Sequence, residues 1–170
     1  AVKFEQAGSF LTVSGAGSLL RTQSPSIFTS LKDDTFGDAN GDGAASSPAP
    51  GDWLGVLLND QGRAELTGTT FAYGGSGGWA PLATSSGTAA SLSWNGGGVF
   101  HSANDGARVT VTDVFITGIE ASNNATSGLT LTPTNPPVFG SVVANHNGTY
   151  GIRVNQNPGH FPTAGFAGVG

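Results

Sequence analysis

Residues 107–154 read ARVTVTDVFITGIEASNNATSGLTLTPTNPPVFGSVVANHNGTYGIRV, and one pattern occurs in them twice. Phe115, Ile119 and the GLTL at 128–131 are followed by Phe139, Val143 and the GIRV at 151–154, at shifts of 24, 24 and 23 residues. Upstream, Leu66, Phe71 and Tyr73 match Val109, Val114 and Ile116 at a shift of 43, close to two such periods. A unit of about 20–25 residues carrying two or three short strands cannot bury its apolar side alone. Stacked on its own copies at ~4.8 Å, it satisfies its backbone ladders and lines up Val, Ile, Leu and Phe in internal columns. The period predicts an all-β fold, a right-handed parallel β-helix of about six or seven coils. The L-x-x-L-x-L framework of leucine-rich repeats is not found, and an immunoglobulin-like sandwich is the competing architecture.

Outward from this stretch the same texture continues. VKFEQ, SFLTV, SIFTS, WLGVLLND and AELTGTTFAYGG are short β-like runs separated by turn residues. The 28 glycines and the scarcity of Lys, Glu and Met disfavour helices. Gly55, Gly128 and Gly151 each precede an apolar doublet, where glycine would supply the positive φ of a corner. Asn123, Asn124, Asn145 and Asn147 suit either left-handed corners or stacked amide ladders, and Asn124 and Asn147 also head N-x-T sequons. Residues 74–98, GGSGGWAPLATSSGTAASLSWNGGG, are poor in inward aliphatics and are expected to bulge from the coil as a side loop. Trp79 and Trp94 in that loop either pack it back on the solenoid or stack on sugar rings.

The net charge of −5 arises in a second side loop, residues 33–52, where five acids stand without Lys or Arg. Asp38, Asn40, Asp42 and Gly43 reproduce D-x-N-x-D-G, whose alternate oxygen ligands converge on a hard cation such as Ca2+. The twelfth position is Ala49 rather than Glu, and helices do not flank the loop, so it is not an EF-hand. The missing ligand would come from Asp52, Asp33 or Asp34. The competing reading is a solvated loop whose Asp and Asn side chains form turns.

Several functions are disfavoured. The chain has no Cys, hence no disulfides or thiol chemistry. His101, His146 and His160 lack zinc-site spacing. Six dispersed bases offer no nucleic-acid surface, and the apolar run 53–58 is too short to insert in a membrane. Thr110, Thr112, Thr130 and Thr132 are too few for an ice-binding array. Asp113, with Glu65, Asp105 and Glu120, is the candidate acid of a polysaccharide-cleaving β-helix, but nothing sets a second carboxylate opposite it.

The succession SIFTSLKDDTFGDANGDGAASSPAPGDWLGV, then ELTGTTFAYGG, then NHNGTYGIRV resembles the right-handed parallel β-helix repeat proteins of bacterial cell surfaces and secreted multidomain proteins. The likeness covers roughly residues 2–155 and is most specific in the acidic loop with PAPGDW. It implies an extracellular or cell-surface, passive or adhesive scaffold. The expected partners are head-to-tail copies, neighbouring domains or surface glycans. Ala1 opens directly onto the strand-like VKF, so residues 1–170 are expected to be one β-helix domain of a longer chain. The alternative is a polysaccharide-binding or polysaccharide-cleaving β-helix.

Overall fold

The computed structural model describes residues 1–37, 40–43 and 45–155. Thirteen strands join in a single sheet in which every pairing is parallel, and the sheet coils into a β-solenoid of about six turns. Three faces repeat along the chain. The first stacks β2 (Phe10–Ser14), β5 (Gly55–Asn59), β7 (Leu82–Ala83), the start of β9 (Ala107–Ser122), β10 (Leu129–Pro133) and β13 (Ile152–Val154). The second stacks β3 (Leu19–Arg21), the first halves of β6 (Arg63–Ala72) and β8 (Ala89–Phe100), the middle of β9 and β11 (Val138–Phe139). The third stacks β1 (Val2–Phe4), β4 (Ser26–Ser30), the ends of β6, β8 and β9, and β12 (Val142–Asn145).

Alternation along each strand sends every second side chain inward, and the register lines these up in columns. On the first face the column is Leu11, Val56, Leu82, Ala107, Leu129 and Ile152. On the third it is Val2, Phe28, Phe71, Val99, Ala121 and Ala144. Bulk shifts between faces from turn to turn: Phe28 stacks on Phe71 at 5.1 Å, and Trp94 meets Phe71 edge-on at 5.4 Å. Each fully buried Leu, Val or Phe contributes roughly 1.5–3 kcal/mol, so the column is the main source of stability. Trp53, at the return of the acidic loop, is fully buried against Phe4 at 4.2 Å, and its Nε1 donates to Ala72 O.

The corner between the second and third faces is a column of glycines at positive φ, Gly68 (59°), Gly96 (75°) and Gly118 (64°). Gly55, Gly128 and Gly151, expected at such corners, do not have positive φ. Gly55 and Gly128 are required by close approach instead: a Cβ there would lie 2.5 Å from Ala80 O and Gly151 O respectively.

Three further expectations are corrected. Residues 74–98 are not one side loop, because β7 and β8 lie within the ladder and only 74–81 swing outward before β7. The inward set of this segment is Leu82, Ala89, Leu92 and Trp94, so one indole fills the space that aliphatic residues fill elsewhere. The shift of 43 is a false register, since Leu66 pairs with Trp94 and Trp94 with Ile116, 28 and then 22 residues on. The shift of 24 is one residue too long: Val138 pairs with Phe115 and Val142 with Ile119. A one-residue slip exchanges faces, so Phe115 is 45% exposed while Phe139 packs on the core. The loop at 33–52 does leave the ladder, between β4 and β5.

Candidate functional site

At the base of the acidic loop the carboxylates are tied to β4. Asp33, 2% exposed, accepts from Thr29 Oγ1 at 2.7 Å and from Thr35, and it caps the short 3-10 turn Asp34–Phe36. Lys3 Nζ donates to Asp33 O at 2.7 Å and to Gly37 O, fastening β1 to the loop. Asp52 accepts from Ser30 Oγ at 2.7 Å, Ala49 N at 2.9 Å and Lys32 Nζ at 3.0 Å. Burial pushes the Asp52 carboxyl upward, but these donors outweigh it and hold the group below its ordinary value. Thr29 and Ser30 are consecutive in a strand and project to opposite faces, so β4 keeps Asp33 and Asp52 apart.

Towards the tip, Asp42 accepts from Ala45 N, Ser46 N and Asn40 Nδ2, a set of turn-forming bonds. Among the described residues, Asp34 Oδ1 is buried without a hydrogen-bond donor. Asp38 lies outside the described residues, as does His160. Among the described residues no three His, Cys, Asp or Glu side chains are grouped to hold a metal ion.

The two indoles part company. Trp94 is fully buried, with Nε1 donating to Thr69 O at 3.0 Å, and so presents no face to a ligand; its place as a candidate binding residue is corrected to the core. Trp79 is half-buried against Leu57, Ala80 and Ala83 outside the first face.

The corner from the third face back to the first carries polar chemistry that spacing alone did not expose. Tyr73, His101, Asn123 and His146 all take positive φ, between 52° and 61°, at successive turns. Tyr73 and His101 rings stack at 5.3 Å. Burial, then the negative charge of Asp33, raises the Tyr73 pKa. The signal in sequence is the 28-, 22- and 23-residue spacing of these four positions, hidden because their residue types differ.

Beside them runs the amide ladder. Asn124, 2% exposed, accepts from Ser102 N at 3.1 Å and donates to Val99 O at 3.3 Å and Asn147 Oδ1 at 2.9 Å. Asn147 Nδ2 in turn donates to Ala121 O at 2.8 Å. A side chain so enclosed cannot receive a glycan, which removes the Asn124 sequon. Asn123 occupies a left-handed corner, so the two uses foreseen for these asparagines both occur.

Four further acids link successive turns, whereas Glu120 accepts from Ser122 Oγ at 2.7 Å within its own strand. Glu65 pairs with Arg21 at 2.7 Å, Asp113 accepts from Asn135 Nδ2 at 2.7 Å, and Asp60 accepts from Ser14 and Ser86. Asp105, 4% exposed, takes Thr126 Oγ1, Ser127 N at 3.0 Å and Arg108 Nε at 2.7 Å. Burial opposes ionisation of Asp105, yet the Thr126, Arg108 and Ser127 donors prevail and hold its pKa below the ordinary 3.8. A shallow groove on the outside of the second face is lined by Ser91, Ser93, Asp113, Phe115, Pro136 and Val138.

Both ends of the coil are open among the described residues. β1, β2 and β3 each pair on one side only, as do β11, β12 and β13. At the N-terminal end a concave mouth is lined by Leu11, Val13, Leu19 and Leu20. Compared with known proteins, the chain matches no family model, no curated protein and no solved structure.

Proposed function

We propose that this chain is a non-catalytic extracellular scaffold, a structural or adhesive β-helix module of a bacterial surface or secreted protein. The observation that carries the reading is the use of its carboxylates. Asp60, Glu65, Asp105 and Asp113 each bond a residue one turn away, so they stitch the coil instead of meeting at a common point. The likeness to surface β-helix repeats and a chain that is only 10% charged support the location.

The groove beside Asp113 favours a second reading, polysaccharide binding or cleavage, because an exposed aromatic ring there adjoins a carboxylate. Incubation with neutral and acidic polysaccharides, followed by assay for new reducing ends or unsaturated products, separates the two. The scaffold yields neither; product formation abolished by Asp113→Asn establishes the enzyme.

Calcium belongs to this proposal at the acidic loop, where the unpaired buried oxygen of Asp34 supports a cation held with Asp33, Asp38, Asn40, Asp42 or Asp52. An ion bound by the native state alone adds about 2.7 kcal/mol at a hundredfold excess over its dissociation constant. Thermal unfolding with Ca2+ and with chelator tests it, and coincident midpoints remove the ion.

A further inference from the structure

We propose that separate copies of this chain bind one another head to tail, with β12 of one copy stacking beneath β1 of the next and β13 beneath β2. The inference rests on the scaffold reading and names the partner that its open ends take. Four observations lead to it.

The backbone edges are complementary. Among the described residues β12 and β13 present unpaired parallel edges at one end, β1 and β2 at the other, on the same two faces. The internal columns run on across the junction. In the register kept by every turn, Ile152 meets Leu11, Val154 meets Val13 and Ala144 meets Val2, all apolar. At the N-terminal end two of the three waiting residues are uncovered, Val2 at 44% and Leu11 at 37% exposed, while Val13 is already buried at 8%.

The charge is also polarised along the axis. Seven of the eleven acids lie in residues 1–60 with three bases, whereas no acid follows Glu120 and Arg153 stands on the last strand. A basic end therefore meets an acidic one.

The third face of the junction makes the proposal specific. Each turn climbs one strand spacing over three faces, so successive strands rise by a third of ~4.8 Å. Chain order at the C-terminal end is β11, β12, β13 on the second, third and first faces; at the N-terminal end it is β1, β2, β3 on the third, first and second. Seating β1 on β12 and β2 on β13 leaves β3 two spacings above β11. Among the described residues, a slot one strand wide opens between them on the second face. Lowering the upper copy to close it would put β1 where β12 already lies. The contact is heterologous and does not close on itself, so it propagates.

The test uses the whole 170-residue chain, which has no native thiol. In the T12C/R153C variant the two positions lie five rungs apart within one copy, about 24 Å at ~4.8 Å per rung, beyond disulfide reach. Across the junction they are ladder neighbours. Mild oxidation is expected to give a ladder of dimers, trimers and higher species, while S93C/R153C, with one thiol on a central turn, gives none. The unmodified chain is expected to gain mass steadily with concentration in sedimentation, and Leu11→Lys to raise the concentration needed by about tenfold or more. A folded monomer at every concentration, or an assembly that stops at two copies, overturns head-to-tail stacking and leaves the scaffold standing. Polysaccharide cleavage overturns the scaffold itself.

Discussion

Asn124 shows how much a single side chain carries in this architecture. It serves the Ser102 N–H, the Val99 carbonyl and Asn147 at once, from a position closed to water. Asn124→Ala removes the side-chain partner of the Ser102 N–H and the Val99 carbonyl, while Asn147 Oδ1 keeps the backbone N–H of residue 124, and it is expected to cost roughly 2–4 kcal/mol in denaturant unfolding; an unchanged midpoint would show that the ladder is ornamental. Asp105 sets a pH limit. Its native pKa lies below the unfolded 3.8, so the native state holds the proton less tightly and the ion contributes stability above that value. The contribution is lost as pH falls from about 4 through the lowered native pKa. Unfolding midpoints measured from pH 7 downward should drop in that acid range, and less steeply in Asp105→Asn, with Asp52 supplying part of the remaining slope. Neither role is evident from a lone Asp or Asn in the sequence, because each depends on a partner 21–23 residues away.

At the scale of elements, β8 is the strand that sequence patterning loses. Its WNGGGVF lacks the aliphatic alternation of β9 and β10, since Trp94 replaces smaller residues and Gly96, Gly97 and Gly98 occupy the corner and the first places of the third face, Gly97 in register with the core residue Ile119. Those glycines mark the closeness of the turns. Gly97 has a φ of 88°, and a Cβ there would sit 2.1 Å from Thr69 O, a backbone atom of the rung below. Gly78, with a φ of 86° in the outward segment, has nothing within 4 Å. Gly78→Ala should therefore cost about 1 kcal/mol of backbone strain, and Gly97→Ala more than about 3 kcal/mol because the ladder must also part. Equal losses by chemical denaturation would refute the close stacking of β6 and β8. By contrast, β5, β10 and β13 were legible from their apolar doublets, and Leu129 does pair with Ile152 at the expected 23 residues. The one-residue error at β11 and β12 came from matching Phe115 to Phe139, two aromatics of the same type on opposite sides of the wall.

For the molecule as a whole, coiling means that each turn is held only by its neighbours, so stability is highest where a turn has two. Amide exchange is expected to be slowest in β6, β8 and the centre of β9 and fastest in β1 and β13, a gradient readable by mass spectrometry. Uniform protection along the chain would contradict it. The period in the sequence was enough to indicate such a coil, because a repeat forced to bury its apolar side has few other ways to do so. The acidic window was visible too, but not the parting of Asp33 from Asp52, which depends on β4 running between them. Among the three edges of the prism, one differs. The connections from the third face to the first run from five residues before β2 to twenty-four before β5, while those at the glycine edge shrink to one residue in three turns. All decoration thus hangs from a single spine. Segments of other lengths can be grafted there without disturbing the rungs.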